Sequence, residues 1–188
     1  IDNVEVPILD GSSKLFAELI SKAKIIELDE EKDFITITKE IKIEDQASGT
    51  IIKASPSNNY ELIVNINYNN YIKQKAQLNS IKEFNSSIAN ARTFCFFHEL
   101  EFLINNNLIK GGSLDNAVVI ASQDVKKVEL EKLSKLFNTK NVKINKNNML
   151  NNTKLRHLNE PAKHKLLDLI GDLTLIGKSI KGKIHAYM

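Results

Sequence analysis

Between residues 160 and 172 a histidine and two aspartates recur every four positions: His164, Asp168 and Asp172. On a helix four residues advance about 400°, so the three stand one above another on a single face. A neutral imidazole and a carboxylate at that spacing can both reach one metal ion, and Zn²⁺ accepts nitrogen and oxygen ligands together. The same spacing also serves an ordinary surface hydrogen bond between His164 and Asp168, and Asp172 can equally serve helix capping or solvation. The other faces of the segment carry Leu166, Leu167, Leu169, Ile170 and Leu173. A polar stripe on a helix otherwise built for burial needs a reason. Asp172, one turn beyond the pair, is placed to orient a further histidine, the usual task of a carboxylate behind a catalytic imidazole.

The stripe needs elements to hold it. Pro161 suits the first turn of a helix over 160–176, and the final strand is expected at 182–187. At the other end, Val6-Pro7-Ile8-Leu9-Asp10-Gly11-Ser12 reads, from Glu5 on, as an extended segment closed by an Asp-Gly turn. A helix follows, with Ser12 or Ser13 as cap and Leu15, Phe16, Leu19, Ile20 and Ala23 on a face expected to join the core. From 34 to 66 the apolar period switches to two, as in Phe34-Ile35-Thr36-Ile37 and Leu62-Ile63-Val64-Asn65-Ile66, which predicts an antiparallel meander. A helix over 80–91 follows, carrying Ile81, Phe84 and Ile88. A compact β-α-β unit is expected next: a strand over 92–97, a helix over 98–106, a turn at Gly111-Gly112-Ser113 and a strand over 117–120. Another amphipathic helix, 129–137, leads into an asparagine-rich surface excursion, 138–152, with one short strand. The fold class is α+β: a two-layer sandwich of a mainly antiparallel sheet packed on helices, with the β-α-β unit as an insert.

Composition narrows the partners. The 188 residues carry 26 basic and 23 acidic side chains, a net charge of +3, and only Arg92 and Arg156 are arginines. Phosphate-reading surfaces favour the arginine fork, and the lysines here alternate with acids instead of clustering beside aromatics, so no nucleic-acid partner is expected and that reading ranks last. With 42% apolar residues the chain can bury a core, yet no apolar run approaches the ~20 residues of a membrane span. The single cysteine, Cys95, and the absence of signal-peptide character in Ile1-Asp2-Asn3-Val4-Glu5 suit the cytoplasm. Gly111-Gly112-Ser113 lacks the context of a phosphate-binding loop.

Four motifs then act together. Val6-Pro7-Ile8-Leu9-Asp10-Gly11-Ser12, Ala91-Arg92-Thr93-Phe94, Gly111-Gly112-Ser113-Leu114-Asp115-Asn116-Ala117 and the 164–173 segment, in that order, closely resemble the zinc-dependent UDP-3-O-acyl-N-acetylglucosamine deacetylases, LpxC. The resemblance runs from Ile1 to Met188. The asparagine-rich stretch leading into Asn159-Glu160-Pro161-Ala162 is similar to the Bacteroidetes-type branch, in which the deacetylase is often fused to a hydroxyacyl-ACP dehydratase.

The resemblance implies hydrolysis of the 2-acetamido group of a UDP-3-O-(hydroxyacyl)-N-acetylglucosamine, the committed step of lipid A synthesis, at a Zn²⁺ site between two similar α+β domains. This chain, residues 1–188, resembles the second. His164 and Asp168 match two of three zinc ligands, Thr93 the threonine that stabilises the oxyanion, Lys165 a substrate-binding lysine, and Asp172 the aspartate that orients the catalytic histidine. Phe94 falls beside the substrate. The insert, about 94–120, matches the hydrophobic acyl passage, with Phe97, Leu100, Gly112, Ser113, Ala117 and Val119 as its lining; ordinary packing is the competing reading for each. The family's third ligand and glutamate base lie in a T-V-E-H-type motif of the first domain, and its general-acid histidine in a G-H-A motif. Neither motif occurs here, so the chain is expected to be one domain of a longer enzyme and inactive alone. His185 lies within the preceding strand and is not assigned the acid's role, while His98-Glu99 stand where the family commonly has Arg-Asp. A different reading makes the chain a noncatalytic acyl- or partner-binding module whose His–Asp stripe packs against another domain.

Overall fold

Alternating apolar residues in the last strand organise the molecule. The structure, a computed structural model, describes residues 6–69, 71–109, 111–151 and 154–188. Strand β8 (Ser179–Tyr187) buries Ile180, Gly182, Ile184 and Ala186 and turns Lys181, Lys183, His185 and Tyr187 outward. It is the centre of a six-stranded sheet and not its margin. β3 (Ile51–Ser55) pairs with it antiparallel and β4 (Tyr60–Asn67) parallel, while β1 (Phe34–Thr36) extends parallel along its first residues. β2 (Ile41–Glu44) and β5 (Lys73–Leu78) are the outer partners of β3 and β4, both antiparallel, giving the order β2-β3-β8-β4-β5.

The expected meander is therefore corrected: β2 and β3 form a hairpin, but β3 and β4, adjacent in sequence, are split by β8. Local alternation shows which residues are strands and which face they bury, but not which strand slides between two others. β5 was not anticipated, because its sequence Lys-Gln-Lys-Ala-Gln-Leu has only Ala76 and Leu78 as buried positions. The class itself, a mixed α+β sandwich on a mostly antiparallel sheet, stands.

One layer of helix covers this sheet. α4 (Glu160–Thr174) presses Ala162, Leu166 and Leu169 onto Leu62, Val64, Ala76, Leu78, Ile184 and Ala186. The expected helix over 80–91 is a 3₁₀ turn, Ile81–Glu83, followed by a π turn, Phe84–Ile88, of which Ile88 is wholly buried. α1 (Lys14–Ser21) forms, but its apolar face does not enter the core: Leu19 and Ile20 are 62% and 67% exposed. Ser13 does not cap it; its hydroxyl donates to the Ala89 carbonyl instead.

The insert has its own core. β6 (Phe94–Phe96) and β7 (Val118–Ile120) pair parallel, connected through α2 (Phe97–Asn105). Leu100, Leu114 and Val119 pack with Leu133 of α3 (Lys127–Leu136) and with Val142 and Leu150. The asparagine-rich stretch thus returns under the insert, bridging Ile120 to Met149 and Ile144 to Leu150. Glu5 and Asn152, ends of two expected segments, lie outside the described residues.

Candidate functional site

His164 and Asp168 emerge side by side from α4, with Nε2 3.5 Å from Oδ1. His164 Nδ1 lies 3.0 Å from the Ala91 carbonyl. A carbonyl only accepts, so Nδ1 carries a proton, and it is in the neutral form of the ring that Nε2 presents a lone pair toward the carboxylate. Two acceptors facing each other want a cation between them, and a ring held through its far N–H by a backbone carbonyl is how a metal-ligating histidine is oriented. The donor set therefore fits a borderline divalent ion as part of its coordination shell. Among the described residues no third histidine, cysteine or carboxylate joins the pair. His98 stacks on Phe96 beside Tyr71, and His157 Nδ1 accepts from Lys163 while its buried Nε2 meets no partner among the described residues. His185 lies on the outer face of the sheet, stacked on Tyr187 and bonded to Asn65, away from α4.

Lys165 points along the same stripe, donating from Nζ to Asp168 Oδ2 at 2.9 Å with its ammonium 5.9 Å from the Phe94 ring centre. Burial works against its charge, but the Asp168 hydrogen bond and the nearby charge of Asp168 outweigh it and raise its pKa above the ordinary lysine value. Asp172 is exposed; its carbonyl accepts from the Leu175 N–H at the end of α4, while its carboxylate makes no hydrogen bond or ion pair among the described residues. It lines an open depression with Lys165, Asp168, Ser13 and Phe84.

The Ala91-Arg92-Thr93 segment opposite is pinned on every side. Arg92, 4% exposed, grips the fully buried Glu160 with Nε on Oε1 at 2.9 Å and Nη2 on Oε2 at 3.1 Å. The Arg92 backbone N–H adds a 3.0 Å bond to Oε1, and the Arg156 N–H a 2.7 Å bond to Oε2. Burial would raise the Glu160 pKa, yet these donors hold it below the ordinary value. The Thr93 N–H donates to the Gly11 carbonyl at 2.7 Å, and Arg156 reaches Asp10 Oδ2 at 2.9 Å. Gly11 is obligatory here: its φ is +77°, and a Cβ would fall 1.7 Å from the Asn116 carbonyl oxygen. Asn116 in turn donates to the Leu9 and Gly111 carbonyls and accepts from the Ser113 N–H. These bonds tie the Asp10-Gly11, Ala91–Thr93 and Gly111–Asn116 motifs to the start of α4.

Beyond Thr93 the insert forms a half-open cavity of about 230 Å³. Thr93, Phe94, Leu100, Gly112, Ser113, Ala117 and Val119 all line it, with Cys95, Ile109 and Phe137. Phe97 does not; it faces a separate, wider groove between α2 and α3, shared with Leu100. Burial beside Glu99 pushes the Cys95 thiol up to about 12, so it is a packing residue and not a nucleophile. Glu99 itself accepts the Phe96 N–H and caps α2.

Residues 1–135 and 121–188 match the family described as LpxC, UDP-3-O-acyl N-acetylglycosamine deacetylase. The chain belongs to the LpxC family. It is 37% identical over 188 residues to the bifunctional enzyme LpxC/FabZ of Porphyromonas gingivalis, covering 99% of this chain and 41% of that protein. The LpxC/FabZ of Chlorobaculum tepidum is 38% identical over 187 residues, covering 97% and 40%. The UDP-3-O-acyl-N-acetylglucosamine deacetylase of Teredinibacter turnerae is 35% identical, covering 97% of this chain and 54% of that protein. The chain thus spans between two fifths and just over half of the relatives it matches.

Within this LpxC site, sequence reading missed the Ala91 carbonyl, since a backbone acceptor has no residue signature. It quoted Arg92 and Glu160 inside motifs but gave them no task. An arginine within an apolar stretch and a glutamate before Pro161 were the available signals, because charges so placed are buried only when paired. No helix among the described residues is long and apolar enough to cross a membrane.

Proposed function

We propose that this chain is the second domain of a zinc-dependent deacetylase that hydrolyses the 2-acetamido group of UDP-3-O-(hydroxyacyl)-N-acetylglucosamine in lipid A synthesis. The observation that carries the reading is the His164–Asp168 pair, with Nδ1–H engaged by the Ala91 carbonyl and Nε2 turned to Asp168 Oδ1 3.5 Å away. Zn²⁺, when bound, supplies a Lewis acid that polarises the amide carbonyl and acidifies water. His164 and Asp168 hold it as two of its ligands, and the remaining ligand, the general base and the general acid come from outside this chain.

Thr93 donates its hydroxyl to the developing oxyanion. Lys165, kept charged by Asp168, binds the substrate beside Phe94. Asp172 orients the general-acid histidine. The cavity lined by Leu100, Gly112, Ser113, Ala117 and Val119 takes the acyl chain, with Phe97 outside it in the neighbouring groove. On this reading the complete enzyme is cytoplasmic with no nucleic-acid partner, and the names of the LpxC/FabZ relatives support a fused hydroxyacyl-ACP dehydratase as a candidate partner domain.

The test is a zinc titration of the 188-residue chain by calorimetry at fixed pH, beside His164→Ala, with turnover assayed in both. Weak binding lost in the variant, and no turnover, is the expected result. Deacetylation by the chain alone would overturn the division of the site, and unchanged zinc binding in His164→Ala would overturn the ligand assignment.

A further inference from the structure

Three of the four donors that hold Glu160 belong to Arg92, between Ala91 and Thr93. The two Glu160 oxygens accept four bonds, two from the Arg92 fork, one from the Arg92 N–H and one from the Arg156 N–H, and the side chain is wholly buried. Arg92 also donates from Nη1 to the Asp115 carbonyl and from Nη2 to the Lys154 carbonyl. The residue before Arg92 supplies the carbonyl that fixes the His164 tautomer, and the residue after it is Thr93. Glu160 lies four residues before His164 on α4, so one helix carries both the imidazole and the carboxylate that fixes the imidazole's partner.

Resting on the proposed function, we propose that Arg92 and Glu160 are positioning residues for the metal site. They lock the Ala91 carbonyl at the distance that keeps the proton on His164 Nδ1 and the lone pair on Nε2. A buried ion pair is costly and is seldom retained for stability alone. Here it joins a ligand's helix to the ligand's hydrogen-bond acceptor in a bidentate geometry that a lysine cannot reproduce.

The measurement is Zn²⁺ affinity of the complete enzyme by chelator competition, with the visible spectrum of the Co²⁺ form as a second readout of coordination geometry. Arg92→Lys keeps a cation beside Glu160, so the pair is not orphaned, and Glu160→Gln, isosteric with the native side chain, repeats the test from the other partner. Ile184→Val, in the sheet core, is the control for lost stability. We expect Arg92→Lys to weaken Zn²⁺ binding tenfold to a hundredfold and alter the Co²⁺ spectrum, with Ile184→Val binding as the parent does. Native affinity and spectrum in both clamp variants, with binding still lost in His164→Ala, would overturn the positioning role and leave the ligand assignment intact. Equal weakening by Arg92→Lys and Ile184→Val would overturn it too, as a mere effect of stability. Native binding in His164→Ala would instead remove the ligand reading on which the inference rests.

Discussion

Asp168 divides its carboxylate between two neighbours on its own helix: Oδ2 accepts from Lys165 Nζ at 2.9 Å, and Oδ1 faces His164 Nε2 at 3.5 Å. One carboxylate thus links the His164 imidazole to the Lys165 ammonium, which lies 5.9 Å from the Phe94 ring centre. Burial alone would lower the Lys165 pKa, and Asp168 more than reverses this. In the metal-free chain, Asp168→Ala should therefore drop the Lys165 pKa, since burial persists while its main counterweight goes. Carbon-13 labelled lysine titrated by NMR reads this directly. An unmoved Lys165 titration would show that Asp168 is not what holds its charge.

Gly11 and Gly49 share a positive φ, +77° and +71°, but not their surroundings. A Cβ on Gly49 would meet nothing within 4 Å, whereas on Gly11 it would strike the Asn116 carbonyl oxygen. Gly49→Ala should cost about 1–2 kcal/mol, the left-handed strain by itself. Gly11→Ala adds a collision with backbone that no rotamer relieves and should cost at least about 3 kcal/mol. Urea denaturation of both variants decides it, and equal losses would mean that the Gly11–Asn116 approach is not tight.

What the sequence exposed, and what it hid, follows the range of the interactions. α4 was legible because its apolar spacing, Pro161 and the four-residue polar stripe are local signals, and the period-two run exposed β4 equally well. The neighbours of β8 were not legible: parallel pairing with β4 and β1 is set by long-range packing that leaves no local mark. The α1 face was misread as core because Leu15, Leu19 and Ile20 are apolar at helical spacing whether a partner covers them or not. At the site, His164, Asp168 and most of the cavity lining were named from their motifs. The Arg92–Glu160 clamp, 68 residues apart in sequence, needed the fold to bring it together.

Glu160 predicts the acid limb of stability. Its pKa in the fold lies below the ordinary 4.5, so on acidification the unfolded chain takes up the proton first. The stabilisation is complete above pH 4.5 and is lost as pH falls through the folded value. Asp10 acts in the same sense below its ordinary 3.8: burial raises it, but the Ser12 and Arg156 hydrogen bonds more than compensate. Glu160→Gln should start about 3–5 kcal/mol less stable at neutral pH, because Arg92 is left buried without its counter-charge. It should then show a flatter decline between pH 4.5 and pH 2 than the parent. Urea midpoints measured across that range test both parts, and parallel acid limbs would show that Glu160 does not report on folding.

The cavity and the groove beside it separate two residues that the sequence had grouped. Ala117 lines the smaller, 230 Å³ cavity, and Phe97 lines the groove between α2 and α3. If the smaller cavity takes the acyl chain, Ala117→Phe should fill it and lower kcat/KM of the complete enzyme for its long-acyl substrate by at least tenfold. A lost methylene contact is worth about 1–3 kcal/mol in such a pocket, and a ring removes room for several. A short-acyl substrate should be spared, which distinguishes blocked entry from damaged chemistry. Phe97→Ala should leave the ratio between long and short substrates where it was. Should Phe97→Ala shift that ratio and Ala117→Phe leave it alone, the chain runs through the groove and the smaller cavity is only a packing void.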